Sequence, residues 1–422
     1  VGTAALVLGY GTALAMWIVG FVGRLPAASA PGWVLGSLLV GVLFAGGALA
    51  GAYAGGVRAG AATGACASLV NLLVLGSLLS TETPNRLVPS AMLWIPGSIL
   101  SGALVGAAGG AIGLRRTAPR SPNWVGTFAK ITALATFVLV MLGGLVTSHE
   151  AGLAVVDWPN SYGYNMFLYP LSRMVGGIYY EHAHRLFGSL VGFGTLLLAT
   201  LLFRSDARGW VRGAGAAAVL LVALQGILGG LRVTGHFTWS ESPEIMRPSL
   251  ALAMVHGFTG QVFLALMVAI AAFTSRSWRD VPPATTPAAG TDRALSAALL
   301  GALGLQLLLG VRVRHTGEGT MDHMAFAVVV LALAVTVSAR LLGKYDNVDV
   351  LRKTGGALIG HAGTQVVLGF LSFVAVGRRG ELATPPVWEV AVTTAHQAFG
   401  ALLLANATLA FVWCRRLLVV PR

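Results

Sequence analysis

Four histidines lie inside apolar segments of the chain as two matched couples, His184 with His256 and His323 with His396. The couples repeat: His323 follows His184 by 139 residues, His396 follows His256 by 140, and Gln365 follows Gln225 by the same 140. Within a couple the separation is 72 or 73 residues, a length for two helices and two turns. Neutral imidazole is a strong ligand for transition metals. Two of them at matched depth on facing helices of a bundle can sit on opposite faces of one planar iron porphyrin. A single histidine of this kind reads as a packing residue. Four at repeated positions read as two sites of one architecture, because ionisable groups inside a membrane are costly and seldom idle.

The two sites are not copies. Glu181 stands three residues before His184, one turn away on the same helix face, whereas Thr320 holds that place before His323. A carboxylate beside a porphyrin-sized cavity can move protons or stabilise developing positive charge. The first half is therefore equipped for chemistry, and the second has a plain bis-histidine pattern. Arg185, next to His184, and Arg232 and Arg312, near the ends of their helices, are candidates for holding carboxylates such as porphyrin propionates. Gly257 and Gly400 leave room for a flat ring against the backbone. His149, His182, His236, His315 and His361 are weaker candidates, at helix ends or without a counterpart in the other half. No His-Glu-x-x-His segment is present, which disfavours zinc-protease chemistry. The two cysteines, Cys66 and Cys414, read as small apolar filler.

What must position these residues is a membrane-spanning scaffold. The 422 residues are 56% hydrophobic and 10% charged, with a mean hydropathy of +0.78. A spanning helix needs about 20 mainly apolar residues. Twelve segments qualify: 3–22, 32–57, 61–80, 88–114, 126–147, 183–203, 211–233, 249–273, 293–313, 320–342, 354–377 and 387–414. The first reads as a retained helix, lacking the basic start and cleavage site of a secretory signal. The expected fold is an all-α polytopic membrane protein of about twelve helices, two tandem four-helix bundles preceded by a four-helix block.

The formal charge of +13 is distributed as topology, not as a nucleic-acid footprint. Alternate loops are basic, with Arg115, Arg116 and Arg120, Arg204, Arg208 and Arg212, Arg276 and Arg279, then Arg340, Lys344, Arg352 and Lys353. The positive-inside rule then puts both termini in the cytoplasm and the histidine sites toward the outer face of a cytoplasmic (inner) membrane.

Composition divides the chain into 1–118, a Gly/Ala-rich four-helix block with small-residue seams, then 124–274 and 293–415, two four-helix halves. Leu224-Gln225-Gly226-Ile227-Leu228-Gly229 parallels Thr364-Gln365-Val366-Val367-Leu368-Gly369, and Gly144–His149 parallels Gly310–His315. Four helices return the chain to its starting side, so the halves are expected to run parallel about an axis along the membrane normal. The loop between the fifth and sixth helices holds Trp158, Tyr162, Tyr164, Phe167 and Tyr169, an interfacial aromatic belt or a lid.

Over about 124–415 the chain resembles the haem A synthase family. The residues that carry the likeness are Gly143-Gly144-Leu145-Val146-Thr147, Glu150-Ala151-Gly152-Leu153, Asp157-Trp158-Pro159, Glu181-x-x-His184-Arg185, and then His256, His323 and His396. The resemblance implies a substrate site at Glu181, His184 and His256, and a b-type haem between His323 and His396. It implies oxidation of a ring methyl of haem O, through an alcohol and a hydrate, to the formyl group of haem A. It also implies an electron acceptor, and haem O synthase and cytochrome oxidase assembly factors as partners within the lipid bilayer. Two departures stand out: the 148–180 loop has no cysteine pair of the kind many bacterial members carry, and the 1–118 block lies outside the family core. A quinol-linked, cytochrome b-like dihaem carrier would also explain four histidines, but not a carboxylate at only one site. A transporter built on repeats would place its polar residues at mid-membrane.

Overall fold

The structure, a computed structural model, describes residues 2–26, 29–113, 122–234, 250–380, 382 and 384–421. His236, Glu241, Glu244, Arg115, Arg116 and Arg120 lie outside the described residues. The described residues contain twelve long helices: α1 (Gly2–Val22), α2 (Gly32–Ala50), α3 (Gly56–Leu79), α4 (Ala91–Gly113), α5 (Trp124–Ser148), α6 (Gly176–Ser205), α7 (Gly209–Val233), α8 (Leu250–Phe273), α10 (Ala289–Thr316), α11 (Thr320–Lys344), α12 (Asp349–Gly377) and α13 (Val387–Leu417). A single-turn helix, α9 (Arg276–Asp280), follows α8. Eleven runs are long and apolar enough to cross a membrane, with α2 and α3 counted as one run from Gly32 to Leu79. The chain is an all-α polytopic membrane protein. Four two-residue strands pair among the described residues: β1 (Asn160–Ser161) with β2 (Tyr164–Asn165), and β3 (Ala284–Thr285) with β4 (Leu418–Val419).

The chain forms two compact units, residues 1–135 with 154–198 and residues 136–153 with 199–422. In the first, the break between α2 and α3 rests on glycine. Gly55 and Gly56 take φ of 102° and 81°, values that L side chains rarely adopt. This divides the run at 50–56 rather than at the 57–61 gap read from hydropathy. Glycines then let the helices touch backbone to backbone. A Cβ at Gly47, Gly51, Gly60 or Gly64 would run into the backbone of Gly102, Gly106 or Gly110 on α4. Such close approach replaces the hydrophobic effect as the cohesive force where the surroundings are lipid.

On its other side α1 packs along α6. The Tyr10 hydroxyl donates to the Leu190 carbonyl at 2.9 Å, and the Tyr10 ring meets Phe128 edge-on at 5.2 Å. Trp17 meets Phe187 edge-on at 5.4 Å, and Phe21 stacks on Tyr179 at 5.2 Å.

The second unit is the bundle α10–α13, with the α7–α8 hairpin packed against α10 and α13 through α8. One end is tied by polar and aromatic contacts. Buried Asp292, in the first turn of α10, takes the Arg340 guanidinium of α11 and, at 2.5 Å, the Tyr345 hydroxyl. Burial and this carboxylate together raise the Tyr345 phenol above its ordinary range. Trp278 of α9 packs on Phe273 at 4.8 Å and Trp413 at 5.3 Å, and its carbonyl accepts from Arg416 at 3.1 Å. His323 and His396 lie toward the other end of the same helices.

Candidate functional site

In the first unit, Glu181 is buried and forms an ion pair with Arg185 one turn on, Nε to Oε1 at 3.1 Å, both side chains only 8% exposed. Arg185 has further partners. Its terminal nitrogens donate to the carbonyls of Val155 and Asp157 at 2.6 Å and of Asn160 at 3.1 Å. Four hydrogen bonds therefore occupy a group with five N–H donors. The guanidinium fastens the 155–160 segment to α6 and holds the Glu181 carboxylate in place. His184, half-buried, follows Glu181 by three residues on the same helix.

His182 is fully buried and turns toward the same loop. Its Nδ1 lies 3.1 Å from the Ser161 hydroxyl, and its ring is 5.0 Å from Tyr169. Tyr164 and Tyr169 are buried, whereas Trp158 and Tyr162 are exposed. The aromatic group is therefore divided between a loop core and a surface. Burial and the Tyr162 hydroxyl push the Tyr169 phenol above its ordinary range.

In the second unit the geometry of three histidines repeats with a fixed register. On α12 and α13, Gly369 lies against the His396 ring, while Gly400 lies against the side chain of Gln365. On α7 and α8, Gly229 lies against His256, and Gly260 against Gln225. Each hairpin thus presents Gln-x-x-x-Gly on one helix and His-x-x-x-Gly on the next, in antiparallel register. The α10–α11 hairpin follows suit: Gly310 lies against the His323 ring, and the Gln306 amide is 3.1 Å from His323 Nδ1 and 3.0 Å from its backbone carbonyl. The backbone carbonyls of Gln225, Gln306 and Gln365 face the rings of His256, His323 and His396.

The His323 and His396 rings are brought together. Their centres are 6.3 Å apart and their planes cross at 81°. Two imidazoles bound trans to one metal, each nitrogen about 2 Å from it and each ring centre about 1 Å beyond, stand about 6 Å apart. Among the described residues no cluster of three or more His, Cys, Asp or Glu could hold a bare metal ion. A two-imidazole donor set suits a group that brings its own four equatorial nitrogens, as a porphyrin does. The residues present fit a haem.

A cavity of about 260 Å³ opens near the ends of α5, α7 and α10, lined by Thr147, Glu150, Gly152, Leu153, Arg232, Arg314 and His315. The Arg232 guanidinium lies over Gly152, where a Cβ would displace it. Nearby, Arg379 bridges Glu150 at 2.7 Å and buried Glu389 at 3.7 Å, and the Glu150 hydrogen bond raises the Arg379 guanidinium further. His149 is held below the usual imidazole range by burial. Arg312, by contrast, is half exposed and pairs with Glu318 at 3.3 Å and Asp322 at 3.7 Å.

Several of these residues escaped the sequence reading. Gln306 carries a signal only when the hairpins are superposed. His184, His323 and His396 each precede Phe by three residues and a small residue by four: Phe187-Gly188, Phe326-Ala327 and Phe399-Gly400. Gln225, Gln306 and Gln365 each precede a glycine by four.

Fold and composition define a multi-pass helical membrane protein with imidazoles carried on registered hairpins. Residues 126–322, just under half of the chain, match the family described as cytochrome oxidase assembly protein. Over this segment the chain is similar to that family. The match includes Glu181, His184 and His256 and ends one residue before His323. No curated protein matches the chain.

Proposed function

We propose that the protein is a haem A synthase of the cytoplasmic membrane, oxidising a ring methyl of haem O to the formyl group of haem A for cytochrome oxidase. In this reading His184 and His256 hold the substrate iron, and Glu181 acts at the reacting methyl. His323 and His396 hold a resident b-type haem, which when bound supplies one-electron redox chemistry. The observation that carries the reading is the repeated hairpin register of His256, His323 and His396, with a buried carboxylate one turn before His184 where Thr320 stands before His323. A carrier with two equivalent haems has no use for that asymmetry.

The protein residues divide the work. Each oxidation removes two electrons and releases protons, and Glu181, fixed by Arg185, is suited to take or guide a proton or to offset positive charge at the methyl carbon. Arg232 and Arg314 supply positive charge around a cavity suited to a propionate carboxylate. Arg312 remains a weaker candidate, being engaged by two surface carboxylates. Arg185 is assigned to Glu181 and the loop, with one donor left for a propionate. Both termini are placed in the cytoplasm, with the haem sites toward the outer face, next to an electron acceptor, haem O synthase and oxidase assembly factors.

Co-expression with a haem O source, followed by chromatography of the extracted haems, tests the assignment. Haem A should accumulate with the wild-type chain. With Glu181→Gln, haem should stay bound while formyl formation falls by about 100-fold or more, the lower end of the range for a positioned proton-transfer group. Purified wild-type protein bearing haem but making no haem A from supplied haem O would overturn the proposal in favour of an electron carrier.

A further inference from the structure

We infer that the turn between α3 and α4, residues 80–88, is a clasp that positions Glu181 through the 155–173 loop, which makes Asn85 a positioning residue contributed by the N-terminal helices. The inference rests on the proposed role of Glu181 and assigns a task to a block that lies before the family-matched segment.

The clasp is built before it grips. Ser80 bridges Leu87, and Thr81 bonds both Thr83 and Arg86, so the turn is closed by its own hydrogen bonds. Asn85 takes φ of 62°, a left-handed conformation that asparagine tolerates better than most residues. From that position its side chain reaches the facing β1–β2 hairpin. Oδ1 accepts the Asn165 N–H at 2.6 Å, and Nδ2 donates to the Gly163 carbonyl at 3.3 Å. The buried Tyr164 hydroxyl donates to the Glu82 carbonyl at 2.6 Å, and the Glu82 carboxylate pairs with Arg173. At the end of α3, Ser77 donates to the Phe167 carbonyl at 3.1 Å.

The far side of the same hairpin is held by α6. Asp157 accepts the N–H groups of Tyr162 and Gly163 at 2.7 and 3.0 Å. The carbonyls of Val155, Asp157 and Asn160 are those that orient Arg185, whose Nε holds Glu181. His182 reaches Ser161 from the same helix. Residues 160–165 are therefore gripped by Asn85 on one side and by Arg185 and His182 on the other. A hairpin of two-residue strands is not stable alone, so releasing one grip frees the carbonyls that keep Arg185 in register with the carboxylate.

The test is Asn85→Gly in the full chain. Glycine keeps the left-handed turn and removes only the two side-chain hydrogen bonds. Amide exchange across 160–173 should rise by about tenfold, the loss expected when a local opening free energy falls by about 1.4 kcal/mol. The kcat for haem O oxidation should fall several-fold with KM changed less, and its pH profile should move, because the Arg185 contact to Glu181 is loosened. The b-type haem spectrum serves as the folding control and should be unaltered. Faster exchange with unchanged kcat and pH profile would overturn the positioning role, and unchanged exchange would overturn the clasp itself. A wild-type chain that never makes haem A would instead sink the proposed function, while the exchange comparison would still decide whether the clasp exists.

Discussion

At the scale of single residues, the Glu181–Arg185 pair shows how a buried charge is made tolerable. A carboxylate at 8% exposure is strongly disfavoured unless it is paired and its partner's remaining donors are satisfied. Arg185 meets that condition with three loop carbonyls. Removing it in Arg185→Ala strands the carboxylate and is expected to cost about 3–5 kcal/mol, the usual penalty for breaking a buried pair, read as a lower unfolding midpoint in detergent. Adding Glu181→Gln to that variant removes the stranded charge and should recover part of the loss. A double variant as unstable as the sum of the singles would show that the pair carries no such coupling. The sequence made Glu181 and Arg185 visible through their spacing from His184. It could not reveal what Arg185 holds, since those carbonyls lie 25 to 30 residues upstream in a segment without periodicity.

At the scale of helices, the register of each hairpin is set by a glycine facing an imidazole. A Cβ added at Gly369 would stand 3.0 Å from the His396 ring, and one at Gly310 the same distance from His323. Contacts that tight oblige the ring to move by a few tenths of an ångström. Gly369→Ala is therefore expected to weaken haem binding by about 10-fold or more, in line with changes to groups that orient a ligating histidine, measured as b-type haem per protein after dilution. Gly360→Ala, on the same helix with nothing within 4 Å of the added carbon, should retain its haem. Equal retention in both would rule out the glycine contact as the orienting device. His396→Ala should lose the low-spin b-type spectrum altogether. Hydropathy located these helices within a few residues at most ends, because twenty apolar residues in a row have few alternatives. The α2–α3 boundary moved because hydropathy cannot see backbone angles, whereas Gly55 and Gly56 set the break. Gln306 went unnoticed because it is 17 residues before its histidine, while Gln225 and Gln365 are both 31 before theirs.

At the scale of the molecule, the second unit separates stability from chemistry along the length of its helices. His323 and His396 sit near one end, and the buried Asp292 network, the Trp278 cluster and the β3–β4 pair tie the other. None of these ties was legible beforehand. Asp292 reads in the sequence as one more charge near a loop, and only the packing of α10 on α11 buries it with Arg340 and Tyr345. The separation predicts a dissociation of effects. Asp292→Ala leaves the Arg340 guanidinium and the Tyr345 hydroxyl without their shared acceptor, so it should lower stability by about 3 kcal/mol, at the low end for a broken buried pair because Arg340 retains some access to solvent. The b-type haem spectrum of the folded fraction should be unchanged, since the ligands and their glycine contacts lie at the opposite ends of the same helices. Gly369→Ala should give the reverse, a shifted spectrum with a nearly unchanged unfolding midpoint. If Asp292→Ala altered the haem band at temperatures well below its unfolding midpoint, the two ends would be mechanically coupled, and the bundle would have to be treated as one continuous support for the site.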